Sequence, residues 1–450
     1  MIQETIEYRL LLISMLIGFF YLVLRYTVLN TFMWVLIPPI LSLLYIFSNN
    51  KYRWLSNKMD KIILYYIING FIITLIGLLV ALNKFNISRV FIHLYLPALL
   101  YFISRKYTAF SINNILKLTR IVWIISIFFI IDILIEYYFI GTGSYMMIPW
   151  VKEAVREYMA GIEDASALER HYMFFNPIMV SSILTSGKGA GILVAVCFAF
   201  LFPFALRKRN NYYKKSELFK NSKISILSVL FMLIACSILL PNFSASLSIF
   251  LFLLFIGFYT KFFIKILLLI IIFSLLIVLG GLDEILTNLF IVKIIDYNSS
   301  FGGTNLEAIL SIVPIFQYYI VDNPLAIIFG KIIIEDLYIV SSPAELDLLV
   351  YPINYGLSWF IITSSGILIA LKYCRQIIKY VPKLNIEHTL ALSFLGFILV
   401  MLLSNLHYPH FDDHGIVELL FIMLGMLSSM HEMTFNRLQT SLITNQSPIV

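Results

Sequence analysis

Charged side chains are scarce in this sequence. Asp, Glu, Lys and Arg make up 13% of its 450 residues, where a soluble domain carries about 25%. Cysteine is nearly absent. Cys197, Cys236 and Cys374 are the whole complement, each in or beside an apolar block, and they suggest neither a disulfide framework nor a metal site. They read as small apolar core residues. The chain also lacks a phosphate-cradling glycine loop with its lysine, a dinucleotide fingerprint and an HExxH zinc motif. An ATP-driven pump and an enzyme consuming a nucleotide-sugar are therefore poorly supported. No repeat or low-complexity region stands out, and the apolar segment 9–24 has no clear small-residue cleavage site, so it reads as a retained first helix.

What the chain has instead is hydrocarbon. Apolar residues reach 60%, and they come in blocks. At 1.5 Å rise per residue, about 20 residues cross a bilayer core of about 30 Å. The expected fold is an all-α polytopic membrane protein with about 12 transmembrane helices. The spans fall near 8–24, 29–48, 62–82, 88–103, 118–140, 187–206, 224–240, 244–260, 262–281, 350–371, 387–406 and 415–431. The expected organisation is an N-terminal bundle (1–140), an external loop (141–186), central helices (187–281), a large external loop (282–349), C-terminal helices (350–431) and a cytoplasmic tail (432–450).

The net charge of +7 invites a nucleic-acid reading, but most of the cations lie in short connections. One connection holds Lys51, Arg53, Lys58 and Lys61, and the next on the same side holds Arg105, Lys106, Lys117 and Arg120. The third, RKRNNYYKKSELFKNSK, carries seven cations against one acid, and the fourth holds Lys372, Arg375, Lys379 and Lys383. With twelve spans all four share one side with both termini, which the distribution of basic residues makes cytoplasmic. The opposite side takes the two long loops. Loop 141–186 has five acids and three cations; loop 282–349 has nine acids with Lys293 and Lys331. Such length is unusual for a connector and suggests a folded cap over the membrane face, either functional or a lid without chemistry.

Four external features are candidates for chemistry. Arg89, Arg156 and Arg170 carry guanidinium groups suited to bidentate contact with a lipid-linked diphosphate; snorkelling or pairing with nearby acids is the plainer role. His171 follows Arg170. The turn LHYPHFDDHG at 406–415 gathers His407, His410, Asp412, Asp413 and His414. It reads as a polar turn, as substrate contacts with His407 accepting a hydroxyl proton, or as a metal site, although no standard zinc spacing is present. Ser244, Ser246 and Ser248 in PNFSASLSIF offer hydroxyls to a ligand or, more plainly, allow close helix packing. Glu345 and Asp347 stand before the tenth span, where they position a sugar, move a proton or simply meet the interface. Gly356 in that span permits close packing. Asp132 and Glu136 lie towards the outer end of the fifth span.

Taken together these passages resemble the O-antigen polymerase and ligase superfamily of bacterial membrane proteins. PNFSASLSIF resembles its small-polar turn, NPLAIIFGKI at 323–332 its segment approaching a glycine-containing turn, and AELDLLVYPINYGLSWFI its acidic approach to the next span. LHYPHFDDHGIVELLFIMLGML resembles its final pair of spans. The resemblance implies a C-type glycosyltransferase-like fold and an inverting transfer at the external face of the bacterial inner membrane. Undecaprenyl-diphosphate-linked oligosaccharide is the implied substrate, with no cofactor and no metal. Arg89, Arg156 and Arg170 would hold the diphosphate. His407, or less favourably Glu345 or Asp347, would act as base, with His171, Ser246, His410 and His414 as possible substrate contacts. Membrane lipid, a chain-length regulator and a flippase of the same pathway are the implied partners, and nucleic acid is not one. The chain departs from the pattern where many members carry arginine: the serine turn has none, and segment 282–349 contains none. The alternatives are an O-antigen ligase, which moves preformed glycan onto lipid A-core, and a flippase or other transporter.

Overall fold

A computed structural model describes residues 9, 55–80, 95–109, 111–140, 187–206, 226–240, 243–260, 324–330, 347–405 and 416–444. The expected spans 29–48 and 262–281 and the loop 141–186 lie outside the described residues, as do the span 8–24 apart from residue 9 and most of 282–349.

The described elements are helical. They are α1 (Lys58–Val80), α2 (Leu96–Thr108), α3 (Ile112–Ile135, continued by a π-helical turn Glu136–Ile140), α4 (Gly187–Leu206) and α5 (Ile226–Leu239). They continue with α6 (Phe243–Thr260), α7 (Pro324–Phe329), α8 (Asp347–Tyr380), α9 (Ile386–Asn405) and α10 (Ile416–Thr444). Five contain stretches long and apolar enough to cross a membrane: Lys58–Leu79, Ile112–Tyr138, Gly356–Tyr380, Ile386–Ser404 and Ile416–Arg437. The protein is thus a multi-pass α-helical membrane protein. Its outward-facing residues agree, since Leu79, Phe258, Leu368 and Leu227 are 84%, 68%, 66% and 66% exposed, side chains that hydrocarbon solvates and water does not.

Local chemistry sets the helix starts. Asn57 caps α1: its Oδ1 accepts from the Asp60 amide at 2.9 Å, while Asp60 Oδ2 accepts from the Asn57 amide at 3.2 Å, a reciprocal capping box. The Ser111 hydroxyl accepts from the Asn113 amide at 3.2 Å to open α3. Pro97 stands in the first turn of α2, where its missing N–H costs nothing.

Between helices in lipid the hydrophobic effect is weak, and close contact of small and polar residues takes over. The contact of α2 with α10 is built this way. A Cβ on Gly425 would collide with the Ser104 hydroxyl and come within 2.6 Å of the Tyr101 carbonyl. Ser429, one turn on, donates to the Arg105 carbonyl at 2.8 Å. Elsewhere α4 packs on α9, α5 and α6, and α8 packs on α1, α7, α9 and α10. Phenylalanines interlock between α4, α6 and α9, with Phe200 edge-on to Phe394 at 5.5 Å and Phe198 edge-on to Phe252 at 6.4 Å.

Two expectations change. Arg105 and Lys106 stand inside α2, 2% and 7% exposed, and not in a solvated connection. Helix α2 runs on to Thr108 because Arg105 finds carboxylates on α1 and α10, so its charge does not need water. The last helix also continues past the expected span end at 431 to Thr444.

Candidate functional site

Two ends of the bundle carry the polar chemistry. At the first, called the basic end, α1 and α10 converge on the last turns of α2. Arg105 Nε meets Asp60 Oδ1 at 3.3 Å, Nη1 reaches Ser429 Oγ at 3.0 Å, and Nη2 reaches Ser56 Oγ at 3.1 Å and pairs with Glu432. The Tyr101 hydroxyl donates to Asp60 Oδ1 at 2.6 Å and contacts Ser428 Oγ at 3.1 Å. Asn57 Nδ2 donates to Ser428 Oγ at 2.7 Å, and Thr108 Oγ1 to Ser429 Oγ at 2.8 Å. Helix α8 joins through His431, whose ring stacks on Tyr373 at 3.8 Å and whose Nε2 lies 2.9 Å from Gln376 Oε1. A buried arginine is tolerable only when such partners replace its hydration. This network fastens four helices, with Arg105 and Glu432 separated by 327 residues. Nearby, Arg437 pairs with Glu387 at 3.1 Å to tie α10 to α9.

The opposite end is built differently. Asp132 and Glu136, on the last turns of α3 and its π-helical extension, are 7% and 0% exposed, and Glu418 in the first turn of α10 is 4% exposed. Here too α8 breaks. Gly356 has φ 85° and ψ 163° in the middle of an otherwise helical run, a conformation confined in practice to glycine. The backbone of α7 fills the space where its side chain would be: a Cβ would overlap the Ile328 carbonyl oxygen and approach the Phe329 carbonyl carbon to 2.6 Å. Ser358 Oγ donates to the Ile328 carbonyl at 2.7 Å. Gly330, φ 83°, turns the chain out of α7. The break and the short helix thus form one unit.

No family model matches the chain, and no curated protein matches it either.

Of the residues singled out from sequence, Arg89, Arg156, Arg170, His171, Glu345, His407, His410 and His414 lie outside the described residues. Asp347 begins α8, its side chain likewise outside them. Ser246 donates its hydroxyl to the Ser237 carbonyl at 2.9 Å, joining α5 to α6, and Ser248 is buried. Cys197, Cys236 and Cys374 are buried thiols. Among the described residues no three His, Cys, Asp or Glu side chains gather as metal ligands. The Arg105 network and buried Glu418 escaped the sequence reading. The available signal was the spacing Tyr101–Arg105–Thr108, which puts the three on one helix face, opposite the small pair Gly425 and Ser429 on α10.

Proposed function

We propose that this protein polymerises undecaprenyl-diphosphate-linked oligosaccharide repeat units into a surface polysaccharide, as an inverting glycosyltransferase at the external face of the bacterial cytoplasmic membrane. The observation that carries the reading is the contact of α7 with Gly356. Two passages that resemble the O-antigen polymerase and ligase superfamily, NPLAIIFGKI and AELDLLVYPINYGLSWFI, meet where Ile328 and Phe329 lie against Gly356 and Ser358. They do so at the end of the bundle away from Lys58, Arg105 and Lys372. If that basic end is cytoplasmic, the broken helix stands at the outer end of the bundle, where lipid-linked glycan is presented.

In the proposed reaction a hydroxyl oxygen of the incoming repeat unit attacks the anomeric carbon of the growing chain. The bond from that carbon to the diphosphate oxygen breaks, and the configuration inverts. Undecaprenyl diphosphate leaves with its negative charge held by Arg89, Arg156 and Arg170. His407 takes the hydroxyl proton, with Glu345 and Asp347 as the alternatives. The test incubates purified protein with defined lipid-linked repeat units and follows product length. A ladder of products supports polymerisation, while transfer of a single preformed glycan to lipid A-core points to a ligase. Arg170→Ala is expected to stay folded and lose chain extension; full activity in that variant would remove Arg170 from the mechanism.

One observation favours a second reading, movement of lipid-linked glycan across the membrane. Buried ionisable side chains occur in several helices: Asp60 in α1, Arg105 and Lys106 in α2, Asp132 in α3 and Glu418 in α10. Intramembrane charge of this kind often marks a transport path. The groups stand towards the two ends of their helices, however, whereas transporter sites sit near the bilayer midplane. Vesicles loaded with labelled lipid-linked saccharide separate the readings, because a transporter changes sidedness without changing chain length.

A further inference from the structure

Helix α3 turns one stripe towards lipid. Lys117, Ile124, Phe128, Ile131 and Ile135 recur on it at helical spacing. Lys117 is exposed, and the four apolar residues are 39%, 48%, 48% and 37% exposed. Arg120 stands on the same stripe, one turn beyond Lys117 and one turn before Ile124, and it is half-buried. Its depth is unusual. The apolar span Ile112–Tyr138 has 27 residues, which extend about 40 Å against a hydrocarbon core of about 30 Å. Centring one on the other leaves the Arg120 backbone about 7 Å inside the hydrocarbon at the basic end. Helical side chains lean towards the helix N-terminus, which for α3 is the basic end, so a long arginine side chain can snorkel back to the headgroups.

The described residues give Arg120 no counter-charge. Its Nε is covered and has no hydrogen-bond partner, and no ion pair among the described residues reaches it. The described carboxylates at the basic end are taken, Asp60 and Glu432 by Arg105 and Glu387 by Arg437. The next acid along α3 is Asp132, about 18 Å towards the other end. A cation at this depth is costly without a partner, and arginine does not shed its charge. The compensating anion therefore comes from the lipid side, where the half-buried side chain is still open and headgroup phosphates lie. A guanidinium fork suits two phosphate oxygens, and Lys117, one turn nearer the surface, adds a second cation. A zwitterionic headgroup brings its own ammonium to its phosphate, whereas an anionic headgroup has negative charge left over. Beyond the two cations, Ile124, Phe128 and Ile131 offer the acyl chains an apolar track.

We propose that Lys117 and Arg120 form a binding site for the headgroup phosphate of an anionic phospholipid, whose acyl chains lie along the lipid-facing stripe of α3. The site is independent of the reaction assigned above. The test places a bimane label on Ile124→Cys in nanodiscs of phosphatidylcholine and phosphatidylglycerol, with dibrominated chains on one lipid at a time to quench it. The native thiols Cys197, Cys236 and Cys374 are buried, and the unsubstituted protein serves as the labelling blank. Leu79→Cys, 84% exposed near the other end of α1, is the reference position. Brominated phosphatidylglycerol should quench the label at position 124 about fivefold beyond its mole fraction, and the label at 79 only in proportion to it. Arg120→Gln should bring the preference at 124 to about one, Lys117→Gln should lower it about twofold, and Arg120→Lys should keep part of it. Arg120 holds no protein partner, so Arg120→Gln should leave the unfolding midpoint in neutral-detergent micelles unchanged. A lower midpoint would make Arg120 a structural residue and count against the site, and the exposed Lys117→Gln keeps the lipid readout if that variant fails to fold. No preference at 124 in the parent, an equal preference at 79, or one that survives both glutamine variants would overturn the proposal. So would a label quenched by neither lipid, which would put protein, a second copy or another chain, on this face.

Discussion

Removing the Arg105 guanidinium by Arg105→Met should strip the basic end of its central cation while keeping most of the side chain's volume. Breaking a buried ion pair from one side costs about 3–5 kcal/mol, because the remaining charge is left uncompensated. Here the two carboxylates differ. Asp60 is 1% exposed but keeps the Tyr101 hydroxyl at 2.6 Å and the Asn57 amide at 3.2 Å. Glu432 is 34% exposed and recovers solvent, so its loss is small. The lower end of the range applies, about 3 kcal/mol. The measurement is equilibrium unfolding in mixed detergent micelles, combined with a double-mutant cycle to Asp60→Asn. That second change removes the stranded charge, so the double variant should be more stable than the sum of the single effects by about 1–3 kcal/mol. An Arg105→Met protein as stable as the wild type, or strict additivity in the cycle, would refute the view that this network holds α1, α2 and α10 together.

Two substitutions test the close approaches. Gly356→Ala should cost about 1–3 kcal/mol from backbone conformation alone. Its Cβ would also overlap the Ile328 carbonyl, so α7 should detach, read as lower thermal stability together with loss of chain extension. Gly425→Val should force α2 away from α10, at about 1–3 kcal/mol or more, read as a lower midpoint of equilibrium unfolding in mixed micelles than that of the parent.

Much of the helical architecture is legible in residue order. Residues 187–206 form α4 with the expected bounds, and α6 and α9 begin and end within one residue of expectation. Their apolar runs are bounded by polar or turn-forming residues, so local composition alone marks the ends. The surroundings of Arg105 are not legible in residue order, because a cation beside an apolar block looks the same whether it meets water or a buried carboxylate. The candidate site was legible only as motifs. That NPLAIIFGKI meets the NYGLSWF break was not, since nothing local indicates which backbone will occupy the missing side chain of Gly356. Asn69 reads in sequence as one polar residue in an apolar helix, and only the packing shows that its Nδ2 is buried without a hydrogen-bond partner.

The sequence by itself determined that this chain lives in a bilayer. A 60% apolar composition arranged in continuous blocks of about 20 residues suits helices, whose backbone bonds close within each segment, and not the short alternating strands of a membrane barrel. The sites at which those helices exchange charge, touch backbone to backbone or leave a donor unmatched were decided by tertiary structure alone. Each depends on a contact between residues far apart in the chain, such as the 327 positions between Arg105 and Glu432. In lipid such contacts are made by shape and hydrogen bonding, which a pattern of hydrophobicity does not encode.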